Sequence, residues 1–139
     1  MAELVEGPLD VAGALAAAAR PDCGAVVVFL GTTRDTCAGR TVECLAYEAH
    51  RAMALTALEG IEREAAERFA IGSCRILHRL GAVPPAEASV AVIVVAAHRD
   101  AAFAACRWAM DRTKGAVPIW KQERYRDGGT RWVEGTKLE

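Results

Sequence analysis

Lys114 and Lys121 stand seven residues apart, separated by Gly115-Ala116-Val117-Pro118-Ile119-Trp120. Lysine is scarce in this chain: Lys114, Lys121 and Lys137 are the only three, against 14 Arg. An ammonium sheds its proton when water is stripped from it, whereas a guanidinium does not. Pro118 stiffens the connector, and Val117, Ile119 and Trp120 exclude water from it. A lysine held against Trp120 or Ile119 therefore has its charged form disfavoured, and a second cation nearby pushes the same way. Such an amine serves as a base or nucleophile near neutral pH. Plainer readings stand beside this one: Lys114 as a cation in the last turn of a helix, and Lys121 as an exposed strand residue.

Two further polar sets lie at the ends of apolar runs. Arg34 follows Gly31-Thr32-Thr33 in a loop, and His98-Arg99 sits between an apolar run and a helix start. Unpaired N–H groups and the helix dipole attract an anion at such a start, and His and Arg add donors. The alternative is a strand-end His98 and an Arg99 paired with a surface carboxylate. Residues 1–97 carry 8 Lys+Arg and 12 Asp+Glu, whereas residues 98–139 carry 9 and 6. An anionic ligand is thus expected in the C-terminal third, where an ordinary solvated surface would show the same bias. The whole chain, at net charge −1, is not a wholesale nucleic-acid binder.

Other constellations are weak. The five cysteines are odd in number and form no C-x-x-C, which argues against a disulfide framework or a zinc cluster. His50, His78 and His98 lack metal-ligand spacing, so no metal is expected. Cys37, close to Arg34, is the one cysteine expected at the surface, as a bystander thiol. His78 falls on an apolar alternating face and reads as a core histidine, while Glu48 and Glu123 read as isolated carboxylates. No G-x-G-x-x-G, G-x-x-x-x-G-K-[ST] or G-x-S-x-G occurs.

These residues must be positioned by one domain, 1–139, since 139 residues at 53% hydrophobic content suffice for one core and exclude a disordered chain. Ala supplies 29 of the apolar residues, so the core is built from small side chains. The pattern predicts helices over Val11–Arg20, capped by Asp10, over Arg51–Phe69, and over Ala101–Thr113, capped by Asp100 and stopped at Gly115. In the second, Leu58, Ile61, Ala65 and Phe69 face inward and Glu62 outward. In the third, Phe103, Cys106 and Met110 form the inner stripe. Strands are predicted over Gly24–Leu30, Thr41–Glu48, Ser73–Leu80, Ser89–Ala97, Val117–Tyr125 and Thr130–Glu134, the last two joined by an Asp127-Gly128-Gly129 turn. Adjacent strands joined by turns indicate an α+β fold with a mostly antiparallel sheet and packed helices. The longest apolar runs are under ten residues, against the ~20 of a membrane helix. Glu3, Glu6 and Asp10 precede the first Ala run without a basic segment, so a cytoplasmic protein with no membrane contact is expected.

The ordered set GAVVVFLGTTR, AYEAH–RAMA, HRLG, HRDAAF, Lys114, VPIWKQE and DGG–RWVEG closely resembles the large, catalytic subunit of molybdopterin synthase, over roughly Gly24 to Glu134. The resemblance implies a hammerhead-like α+β domain that forms a homodimer. Each protomer would bind one small ubiquitin-like sulfur carrier, giving a heterotetramer. The carrier's C-terminal thiocarboxylate would enter a pocket and pass sulfur to cyclic pyranopterin monophosphate, two transfers building the dithiolene of molybdopterin. No cofactor of the enzyme itself is implied. Lys114 and Lys121 match the family's active-site lysines, Arg34 its loop arginine and Phe29 the aromatic before that loop. His98 and Arg99 match a phosphate-binding pair contributed across the dimer. Met110 would also line the substrate site, and Pro118, Ile119 and Trp120 the carrier-tail channel. A noncatalytic scaffold for a ubiquitin-like partner is the competing expectation, and keeping both lysines argues against it. A phosphate-ester enzyme with no protein partner is a third.

Overall fold

The computed structural model describes Met1–Val133, so the expected strand end at Glu134 and the third lysine, Lys137, lie outside the described residues. In chain order the elements are β1 (Glu3–Glu6), α1 (Val11–Ala18), β2 (Ala25–Thr32), β3 (Thr36–Cys37), β4 (Arg40–Ala49), α2 (Arg51–Arg68), β5 (Ser73–Val83), β6 (Ala88–Ala96), α3 (Arg99–Ala116), β7 (Ile119–Tyr125) and β8 (Thr130–Val133). Two short strands join the expected set. β1 lies parallel to β5, with Leu4 opposite His78. Four residues with a Glu at each end carry too little alternation to be read before the partner is known. β3 pairs with β4 inside the stretch expected as a loop.

The described strands run β2-β6-β5-β4-β7-β8 across the sheet, with β1 added on β5 and β3 on β4. All of these strand pairings except β1–β5 are antiparallel, so the α+β expectation holds. β6 reads as an unbroken apolar run because both of its faces are covered. Val90, Val92 and Val94 pack with Ala54 and Leu58 of α2 and Ala105 of α3. Ala91 and Ile93 pack with Ala14 of α1.

Three expectations need correction. Glu62 is 8% exposed rather than outward-facing, because its carboxylate accepts the Ile76 N–H at 2.8 Å where β5 begins. α3 starts at Arg99, with His98 in the cap position and making no side-chain cap bond, so Asp100 lies in the first turn instead of capping it. Nor does Gly115 end that helix. It continues to Ala116, and Val117 is extended because the ring of Pro118 disfavours helical backbone at the residue before it.

The inner stripe of α3 is also rotated. Cys106 and Met110 are buried as expected, but Phe103 is 62% exposed, and Ala102, Ala105 and Ala109 take the inner face with no exposure. Alanines there let the helix lie close against the sheet, and a phenyl ring on that face would hold it off. Replacing Ala109 by Leu is therefore expected to overpack this contact and destabilise the protein by roughly 1–3 kcal/mol. Phe103→Ala should cost less than about 0.5 kcal/mol. Urea denaturation of the two variants checks the setting of the helix, and a reversed order would refute it.

Candidate active site

The site lies where the sheet divides. β5 pairs with β6 as far as His78, opposite Val90, and with β4 from Gly81, opposite Tyr47. Gly81 holds a φ of +84°, a backbone angle that L side chains rarely adopt, at the junction between the two pairings. Gly31 allows β2 to close on the same place, since a Cβ there would come within 2.7 Å of Val90 Cγ1. The two halves of the sheet diverge from this point, and a cavity of about 520 Å³ occupies the gap.

Lys114 and Lys121 both line this cavity, with Phe29, Arg34, Met110 and Ile119. The C-terminal two turns of α3 deliver Met110 and Lys114. On β7, Ile119, Lys121 and Glu123 alternate inward, with Lys121 opposite Tyr47 and Glu123 opposite Leu45 on β4. The same alternation sends Trp120 to the other face, where it is 53% exposed. Lys121 is thus not held against Trp120, as the connector suggested. Neither Trp120 nor Pro118 is among the cavity-lining residues, whereas Ile119 is.

Burial in the cavity wall pushes the Lys121 pKa down. The charges of Lys114 and, more weakly, Arg34 add to that, and Glu123 opposes it. The two expected causes, partial loss of water and a second cation, are therefore both at work, although the burial comes from the cavity wall and not from Trp120. Among the described lining residues, Arg34, Lys114, Lys121 and Arg131 carry positive charge and Glu123 alone carries negative charge. The enclosure suits an anionic ligand.

Sequence reasoning passed over four of the residues here. Glu123 is not isolated: it is 5% exposed and holds the Cys37 thiol above its usual pKa. Two-residue alternation from Lys121 was the signal that would have found it. His78 is buried as a core histidine should be, yet its ring also reaches the cavity. Tyr47 packs edge-on to that ring at 5.1 Å, and Arg131 of β8 lies opposite Glu123. Cys37 is half-buried in the cavity wall, and Cys23 and Cys44 are half-buried too, so Cys37 is not the one surface thiol.

His98 and Arg99 are not part of this cavity. They are exposed at the opposite end of α3 from Lys114, about 22 Å away along the helix at 1.5 Å per residue. Without a side-chain cap at His98, the first-turn N–H groups of α3 remain open to an anion.

Comparison with known proteins places the chain in context. The family model described as MoaE protein matches residues 4–116. A molybdopterin synthase catalytic subunit from Pyrococcus abyssi is 42% identical over 136 residues, covering 96% of this chain and 91% of that one. The crystal structure of molybdopterin synthase from Staphylococcus aureus superposes with a TM-score of 0.90 at 34% identity, over 94% of this chain and 95% of that one. A complex of subunits 1 and 2 of molybdopterin-converting factor from Helicobacter pylori shares the fold, with a TM-score of 0.79 at 21% identity over 98% and 92% of the two chains. No helix among the described residues is long and apolar enough to cross a membrane.

One acid–base consequence follows from the site. Burial pushes the His78 pKa from 6.5 down to about 4, and the Lys121 charge adds to this. The unfolded chain therefore binds a proton between these values that the folded chain refuses. This share of stability is complete above pH 6.5 and is lost as pH falls toward 4, amounting to roughly 3 kcal/mol. Denaturation at pH 7 and at pH 4 should show a larger loss for the wild type than for His78→Gln. Equal losses would mean that the ring is solvated in the folded state.

Proposed function

Because the chain belongs to the MoaE protein family, we propose a specific chemistry for its cavity, the transfer of sulfur from a carrier protein's thiocarboxylate to cyclic pyranopterin monophosphate. The chain acts as the catalytic subunit of a molybdopterin synthase, an enzyme of molybdenum cofactor biosynthesis. The observation that carries the finer reading is the meeting of Lys114 and Lys121 in one enclosed cavity, with the pKa of Lys121 lowered there.

Both proposed substrates are anions, and four cations on the wall provide the matching field. The attacking sulfur belongs to the carrier, so the enzyme needs no nucleophilic cysteine of its own. The Cys37 thiol, held protonated beside Glu123, is consistent with that. As sulfur adds to the pterin and oxygen leaves, protons must move at the reacting carbon. Lys121, whose pKa is lowered by burial and by the Lys114 charge, is assigned that exchange. Lys114 and Arg34 are assigned to holding the anionic groups. Phe29, Met110 and Ile119 give the pocket apolar surface for a flat ring system and an extended carrier tail.

The proposed partners are a small ubiquitin-like sulfur carrier and a second copy of this chain. The carrier has a parallel in the two-subunit complex of the Helicobacter pylori protein. The second copy is argued from the helix. His98 and Arg99 sit too far from their own chain's cavity to hold the phosphate of a substrate bound there, so they are assigned to the cavity of the other protomer. No part is assigned to Pro118 or Trp120 inside the cavity. Their place in this reading is along the carrier's approach.

Combining the purified chain with thiocarboxylated carrier and the cyclic pterin should yield molybdopterin. Carrier binding without product would favour a noncatalytic scaffold, and neither binding nor product a different phosphate ester. Lys121→Ala should lower turnover by about 100-fold or more while leaving the denaturation midpoint near wild type. A near wild-type rate would refute its role. Arg99→Ala should weaken pterin binding and leave carrier binding largely intact. An equal loss of both, measured by titration, would argue against the phosphate assignment.

A further inference from the structure

His78 takes no part in the chemistry above, although its ring lines the same cavity and only 6% of the residue is exposed. Its Nδ1 lies 2.9 Å from the carbonyl oxygen of Arg79. A carbonyl only accepts, so Nδ1 carries the ring hydrogen and Nε2 keeps a lone pair. The ring is held in that pose. Tyr47 packs on it edge-on at 5.1 Å and 70°, and its backbone is paired on both sides, with Leu4 and with Val90.

Nε2 has no hydrogen-bond partner among the described residues. Nor is it one of the fully enclosed unpartnered atoms, which are Thr33 Oγ1 and Arg79 Nε. Its open side therefore faces the cavity. Lys121 aside, the other cations around that space, Arg34, Lys114 and Arg131, are donors with no lone pair to offer. Glu123 is an acceptor, but it is charged and lies beside Cys37. A neutral acceptor aimed at a donor-lined space fits a ligand that carries its own N–H or O–H groups, as a pyranopterin ring system does.

We propose that His78 is a substrate-binding residue, its Nε2 lone pair receiving an N–H or O–H hydrogen of the pterin ring system and so fixing which carbon is turned toward Lys121. This assignment rests on the proposed function. Burial supports it separately by holding the ring neutral, with its pKa pushed down to about 4, so the lone pair persists across the neutral range.

The test is calorimetric titration of cyclic pyranopterin monophosphate into wild type, His78→Leu and His78→Gln. His78→Leu should bind about tenfold more weakly, and His78→Gln, whose amide oxygen reaches the Nε2 position, should recover to within about threefold of wild type. KM for the carrier should not change. In histidine-labelled wild type, the Nε2 nitrogen resonance should move from its unprotonated range when the pterin binds, which a purely structural ring would not show. Leu-variant affinity equal to wild type, or Gln-variant affinity as poor as that of a folded Leu variant, overturns the assignment. If wild type itself fails to bind the pterin, the proposed function falls and takes this assignment with it. If wild type binds and turns over the pterin while His78→Leu does both equally well, this assignment alone is lost.

Discussion

Between His78 and Gly81, strand β5 lets go of β6 and takes hold of β4. β6 and β4 flank β5 in the strand order, and neither pairs with it at Arg79 and Leu80, so the sheet parts there into a wedge. The space is filled by whatever side chains the rims supply. Here β6 offers Ser89 and Val90, β4 offers Leu45 and Tyr47, and β7 offers Lys121 and Glu123. The end of α3 closes one side with Met110, Thr113 and Lys114. Gly31 and Gly81 are the two positions where a side chain would interfere with this arrangement, one by contact and one by backbone angle.

The wedge determines the electrostatics. A lysine on an ordinary antiparallel strand extends into water and keeps its proton. Lys121 is placed by strand alternation on the inner side of β7, where it is half-buried and feels the Lys114 charge. Glu123, two residues on and on the same face, pulls the other way. The net effect is a lowered pKa at Lys121 within a field that stays positive, since Arg34 and Arg131 also line the space. An arginine at position 121 would add to that field but would not exchange a proton. The chain's sparing use of lysine has a physical reading at this position.

Much of this was legible in the sequence, for identifiable reasons. The alternation and helical spacing were long enough to place all three helices and six of the strands near their observed bounds, and Asp10 caps α1 with a bond to the Gly13 N–H as its position implied. The two-lysine cluster was legible because both residues flank one stiff turn. What stayed hidden depended on tertiary partners. β1 exists because β5 offers it an edge. Glu62 is buried because an N–H at the start of β5 needs an acceptor. Phe103 faces outward because three alanines suit the sheet better. The error over Trp120 was of another kind: neighbours in sequence were treated as neighbours in space, against the alternation of the strand that carries them.

The length of α3 carries the last step of the synthesis. The helix is a rigid rod of 18 residues, and its two ends present different chemistry. The C-terminal end, where the dipole is negative, presents Lys114 to the cavity. The N-terminal end, where the dipole is positive, presents His98 and Arg99 to solvent. The C-terminal end is therefore matched to the cation it bears, whereas at the N-terminal end the dipole and Arg99 share a sign and together attract an anion; the two ends cannot meet on one small molecule within one chain. Either the outer pair binds an anion unrelated to the cavity, or another molecule of the chain brings its outer pair to the cavity mouth. Under the second, proposed arrangement the uncapped first turn would leave its N–H groups free for an incoming phosphate.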